Sequence, residues 1–202
     1  MNHFPYAIEP LLKTEAGYAN NPADPGGETY AGIARRSWPN WAGWKVLDLI
    51  PNKRQGQKFP QLDNEVKEFY YVNYWLKNNL DKIDNQEIAS AALDTVVNHG
   101  RGPSLLQQSL QNLGQPVTVD GRIGNDTLLH LNATPPSIFL PALYAVRKSY
   151  YEGLVANNPE LGQFLKGWMN RIDKWKGAGG GLAALFLVAA AAWFYLKKKT
   201  FV

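Results

Sequence analysis

The chain has 202 residues, no cysteine, and three histidines (His3, His99, His130) without ligand spacing. This excludes disulfides and thiolate metal sites, and no metal or cofactor is implied. The formal charge of +4 is largely a tail effect, because all 17 acidic residues precede Gly177 while Lys197, Lys198 and Lys199 follow it, so the basic pI gives no support for nucleic-acid binding.

The N-terminus lacks a charged start and a continuous apolar run, and Glu9 interrupts it, so it does not read as a signal peptide. Phe4, Ala7, Ile8, Leu11 and Leu12 recur at the i, i+3, i+4 spacing of an amphipathic helix. Glu15 continues the stripe, four residues after Leu11 and seven after Ile8. Partial burial and the negative end of the helix dipole both favour the neutral carboxyl, the form a general acid needs. A solvated helix-end glutamate is the plainer alternative. Gly17 reads as the helix stop.

Asp24-Pro25-Gly26-Gly27 is first of all a turn, with Asp24 as its cap. Its functional reading comes from company: Glu15, Asp24 and Thr29 converge on one loop, ahead of Ala31-Gly32-Ile33. Two carboxylates in unlike surroundings suit glycoside hydrolysis, one protonated for the leaving oxygen and one ionised for the water or the sugar cation.

The rest of the chain predicts helices over 66–80, 88–98, 104–113, 125–131, 137–156 and 161–175, separated by Gly, Pro and Asn. Few segments alternate, so any sheet is a small hairpin around 18–33 or 116–119. Trp38, Trp41 and Trp44 either line a glycan groove or belong to the core, and Tyr30, Tyr71, Tyr74 and Trp75 face the same choice. Asn98 and His99 precede a glycine and either point into a cleft or close a helix. Asp120-Gly121, followed by Gly124 and Asn125, reads as a turn into a capped helix.

Residues 177–196 carry no charge, and 182–196 are continuously apolar. As a helix the segment spans about 30 Å, the thickness of a bilayer core. Trp175 on one side, Trp193, Phe194 and Tyr195 on the other, and the closing lysines fit a membrane span, with a buried core helix as the alternative. Arg171, Lys174 and Lys176 nearly balance the terminal lysines, so charge alone leaves the orientation open.

The stretch Glu15-Ala16-Gly17-Tyr18 through Asp24-Pro25-Gly26-Gly27, Thr29 and Gly32-Ile33 resembles the N-terminal signature of glycoside hydrolase family 108 muramidases. That family carries a Glu-Gly-Gly-Tyr motif with a catalytic Glu, which falls here on Glu15; Ala16 stands where the first Gly is usual. The Glu–Asp–Thr order also resembles phage-type lysozymes, which makes Asp24 the second carboxylate and gives Thr29 a part in holding the attacking water. Segments 68–75 and 94–100 resemble the family's later helices, and 119–127 and 164–171 its peptidoglycan-binding region. The resemblance covers about residues 4–175.

It implies an all-α, mainly helical, lysozyme-like fold with a small hairpin, to which the apolar run at 177–196 adds one C-terminal transmembrane helix. Residues 1–100 are the expected catalytic region, 101–176 the peptidoglycan-binding region and 177–202 the anchor and basic tail. Expected catalytic residues are Glu15, Asp24 and Thr29; expected substrate contacts are Tyr18, Tyr30, Trp75, Asn98 and His99. The expected partners are peptidoglycan and, through residues 177–196, a lipid bilayer. The expected location is the bacterial inner membrane, single-pass, with the catalytic part periplasmic. A lytic transglycosylase and a noncatalytic wall-binding anchor are the rival readings.

Overall fold

The computed structural model describes residues 3–14, 17–20 and 27–173. The chain divides into two compact units, Met1–Asp81 and Lys82–Val202.

The first unit opens with α1, Phe4–Thr14. Its predicted stripe is buried: Phe4, Ala7, Ile8 and Leu11 are all in the core. Pro10 lies on the exposed face of the helix, away from the core. Phe4 meets Tyr71 and Trp75 edge-on, with ring centroids 5.0 and 5.5 Å apart.

The sheet has three two-residue strands in the order β1 (Tyr18–Ala19), β2 (Thr29–Tyr30) and β3 (Ile33–Ala34), all antiparallel. Tyr18 faces Tyr30, and Tyr30 faces Ile33. The expected hairpin thus gains a third strand. Ala31 and Gly32 form the β2–β3 turn with φ of +45° and +80°, the left-handed pair that a two-residue type I′ turn demands. Ala31 is strained there, and the Tyr70 hydroxyl holds it by donating to its carbonyl at 2.8 Å.

Gly17 is not a helix stop of the left-handed kind. The reason for glycine is close approach: a Cβ at this position would sit 2.3 Å from the Gln57 carbonyl oxygen and 2.6 Å from that of Gly56. The same crossing is fastened by Tyr18 N to Gln57 O (2.8 Å) and Gly56 N to Tyr18 O (2.7 Å).

α2 spans Gly43–Asp48 and α3 Asp63–Tyr70. The predicted helix over 66–80 begins earlier and changes character at Tyr71, where a π-helical stretch runs to Leu76. The side-chain amides of Asn73 and Asn78 donate to the carbonyls of Phe69 and Tyr74, at 2.9 and 2.7 Å. They compete with the backbone for those acceptors, which accounts for the widened turn. Trp44 is core and donates its indole N–H to Trp38 O at 2.8 Å, whereas Trp38 and Trp41 are only partly buried.

The second unit is helical. α4 is Gln86–Asn98, α5 Gly102–Asn112, α6 Asn125–Ala133, α7 Pro136–Asn157 and α8 Gly162–Ile172. These match the predicted helices to within a few residues. Asn85 caps α4, its side-chain oxygen accepting from Glu87 N and Ile88 N. α4, α5 and α7 pack against one another, α6 joins α5, and α8 joins α7. Ala89, Ala91 and Ala92 are fully buried in α4, which lets its neighbours come close. Gly102 makes the α4–α5 crossing possible, since a Cβ there would meet Val96 Cα at 2.5 Å.

Residues 116–119 form no strand; Gln111 holds Val117 O at 2.8 Å in a loop. The 120–124 turn is pinned to α5 by Gln107, which donates to Asp120, Arg122 O and Thr127 and accepts from Gly121 N. The hydrogen bond from the Gln107 amide and one from Arg122 N hold the Asp120 carboxyl below its ordinary range. Gly124 is the N-cap of α6, so the helix starts without a side-chain cap and Asn125 is its first residue. Among the described residues no helix is long and apolar enough to cross a membrane. The predicted span at 177–196 lies outside the described residues.

Candidate active site

A cleft of about 300 Å³ opens beside the α1 end of the first unit. Glu9 and Lys13 of α1, Gly17, Ala31, and Asp63 and Lys67 of α3 line it. The mixed charges can pair with both donors and acceptors of a polar substrate. Glu15 and Asp24 lie outside the described residues; Glu15 falls in the chain between α1 and Gly17.

The sheet brings Tyr18, Thr29 and Tyr30 together. Thr29 donates its hydroxyl to Gly27 O at 3.2 Å, which ties the strand to the residue two positions before it. Tyr18 is buried and donates to Glu28 Oε1 at 2.8 Å. Glu28 Oε2 in turn pairs with Arg35 Nε at 2.7 Å, and Arg35 reaches Asp48 while its guanidinium lies 4.6 Å from the centre of the Trp44 ring. Burial and then Glu28 push the Tyr18 phenol up, so it stays a donor. The Arg35 hydrogen bond holds the Asp48 carboxyl down.

Tyr30 borders the cleft, but its ring is buried. Its hydroxyl is used twice by Phe59, donating to the carbonyl at 3.2 Å and accepting from N–H at 2.8 Å. Trp75 is only 1% exposed and is enclosed in the core against Phe4. It offers no free face to a sugar in this structure.

Asn98 and His99 belong to the second unit. Asn98 ends α4, donating to Asp94 O at 2.7 Å and accepting from Arg171 of α8. With Tyr151, Phe164, Trp168 and Arg171 it lines a groove of about 430 Å³. Trp168 stacks on Tyr151 at 4.9 Å, and Phe164 is half exposed. A cation, an amide and aromatic surface are chemistry suited to an acidic, amide-rich glycopeptide.

His99 is buried beneath this groove, held by Arg147 Nε at 3.2 Å and the Tyr151 hydroxyl at 3.1 Å. Arg147 also pairs with Asp94 at 2.8 Å, both out of solvent. Burial, then the neighbouring Arg147 charge, push the imidazole down to about 4. His99 is therefore neutral, its Nε2 accepting and its proton on Nδ1. Between pH 6.5 and about 4 the unfolded chain binds a proton that the folded chain refuses. Stability from this group is therefore complete above about pH 6.5 and falls by about 3 kcal/mol as the pH approaches 4. Urea unfolding at pH 7 and 4.5 measures this, and a His99→Gln variant is expected to show a shallower acid slope.

A family model for glycosyl hydrolase 108 matches residues 8–100, and one for a predicted peptidoglycan domain matches residues 101–173. The chain carries a glycosyl hydrolase 108 domain over residues 8–100. It is a glycoside hydrolase of the lysozyme-like, peptidoglycan-hydrolysing kind. The solved structure described as that of Brucella abortus SagA is similar to it, with 24% identity and a TM-score of 0.62 over 86% of this chain and 91% of that one, which shows a shared fold. No curated protein matches the chain. The glycosyl hydrolase match runs to residue 100, whereas packing assigns α4 to the second unit.

Several groups that organise the glycosyl hydrolase were not singled out from sequence. Arg147 is the clearest: it stands at an inward position, in line with Leu140, Leu143 and Tyr151 of α7. A cation at a core position on a helix calls for a buried carboxylate, and that was a readable signal. Glu28 carried no comparable signal, because its partners Tyr18 and Arg35 meet it only through the sheet. Among the described residues, no group of His, Asp and Glu could hold a metal.

Proposed function

We propose that the chain is a muramidase that hydrolyses the β-1,4 bond between N-acetylmuramic acid and N-acetylglucosamine. Glu15 protonates the glycosidic oxygen. Asp24 stabilises the sugar cation or activates water, and Thr29 steadies that water. The observation that carries this reading is the glycosyl hydrolase match over 8–100, which spans the Glu15–Thr29 segment and is followed directly by the peptidoglycan match. Residues 1–100 are then catalytic and 101–176 bind the wall. Tyr18 and Tyr30 brace the sheet beneath the substrate, and Asn98 and Arg171 receive the wall polymer in the second unit.

Mass spectrometry of products from purified peptidoglycan tests the reaction. Hydrolysis gives reducing muramic ends. Anhydro ends would make the enzyme a lytic transglycosylase, and no products would leave a binding module.

Residues 177–196 complete the proposal as a single transmembrane helix holding the enzyme at the inner membrane, with its catalytic part periplasmic, as in a membrane-anchored endolysin or a secretion-linked wall hydrolase. The apolar, charge-free length and the three closing lysines support it. Gly177, Gly179, Gly180 and Gly181 suit a tether. Deleting residues 177–202 is expected to turn a detergent-dependent protein into a soluble one with comparable activity on isolated wall. A full-length chain that stays soluble without detergent removes the anchor.

A further inference from the structure

α3 and its π-helical extension present two opposite faces. At about 100° per residue, Asp63, Val66 and Lys67 share one side, and Glu65, Glu68, Phe69 and Val72 the other. The first side lines the cleft beside Gly17. The second, with Trp38 and Trp41, lines a separate groove of about 380 Å³.

This second groove joins aromatic surface to uncompensated negative charge. Glu65 and Glu68 both line it, and no basic side chain does. The Glu65 Oε2 atom is shut off from solvent and accepts no hydrogen bond. Two carboxylates in a lining with no cation favour a ligand that brings donors and positive charge. Trp38 and Trp41 are partly exposed, and Val72 is 48% exposed. Indole faces attract cations, and an aliphatic stem can lie along Phe69 and Val72.

We propose that this groove binds a primary ammonium on an aliphatic stem, supplied by the side-chain amine of a diamino acid in a wall peptide. The amine brings three donors and one positive charge to two carboxylates, whereas a neutral sugar would leave the charge unanswered. The source of the amine rests on the peptidoglycan reading; the charge chemistry of the groove does not. The enzyme would then hold the peptide arm of its substrate on a face of α3 opposite the cleft.

The test is NMR titration of the full-length Glu15→Gln chain, following the indole N–H signals of Trp38 and Trp41. Three probes are used: a wall tripeptide ending in a diamino acid with a free side-chain amine, the same peptide acetylated on that amine, and chitotetraose. The free-amine peptide is expected to shift both signals saturably. Acetylation, or the Glu65→Gln and Glu68→Gln pair, is expected to weaken binding by at least about tenfold. Glu68→Gln alone, at an exposed position, serves if the double variant does not fold. Equal binding of the acetylated peptide, matching shifts with chitotetraose, or no shift with any probe overturns the proposal. None of the probes reports hydrolysis, so this result is independent of the product analysis that tests the muramidase reading.

Discussion

Glu15→Gln is expected to lower peptidoglycan hydrolysis by at least about 10²-fold and to leave the fold intact. The substitution keeps size and hydrogen-bonding capacity but removes the proton that the leaving oxygen must receive. The α1 core positions Phe4, Ala7, Ile8 and Leu11 keep their own packing in this variant. Circular dichroism and thermal unfolding establish that the variant is folded, and release of muropeptides measures its rate. Near-normal hydrolysis by a folded variant removes Glu15 from the mechanism. It also distinguishes two roles sequence cannot separate, because a solvated helix-end glutamate can be replaced without loss.

The second large effect concerns stability. Arg147→Met is expected to cost about 3–5 kcal/mol, because it breaks a buried ion pair by removing the guanidinium from the Asp94 carboxylate. It also removes the donor that fixes His99 in its neutral form. Replacing both members, Arg147→Met with Asp94→Leu, is expected to recover much of that loss, since an apolar pair needs no charge compensation. Denaturant unfolding of the single and double variants measures the coupling. A single variant within about 0.5 kcal/mol of the parent would mean that water reaches Asp94 and the pair is not sealed.

Sequence spacing located the helices well where one face is apolar and one polar. α1, α5 and α8 follow this rule most plainly, because their apolar positions are what the core selects. Its failures share a physical pattern: each depends on a contact distant in sequence. Gly17 looked like a stop, yet the reason for glycine is the Gly56–Gln57 backbone crossing. The third strand requires a left-handed alanine held by Tyr70, thirty-nine residues away. Trp75 was a candidate sugar contact by residue type, but the π-helical stretch at 71–76 and the partner Phe4 enclose it.

The candidate site was legible in a different way. Family resemblance identified Glu15, Asp24 and Thr29 as a set, and only Thr29 among them falls within the described residues. The motif could not reveal the support beneath it. Tyr18, Glu28, Arg35 and Asp48 form a chain of polar contacts whose members come from separate loops and strands. No period or local motif encodes such a chain.

The sheet has a consequence for the order of folding. Strands of two residues cannot persist alone, and the links that secure these come from elsewhere: Gln57 to Tyr18, Phe59 to Tyr30, and Tyr70 to Ala31. The loop before α3 and the end of α3 must therefore be in place before the strands gain lasting partners. The three-stranded sheet thus assembles late within its unit. Backbone amides of Tyr18 and Tyr30 then exchange with solvent through local opening rather than through loss of the whole unit.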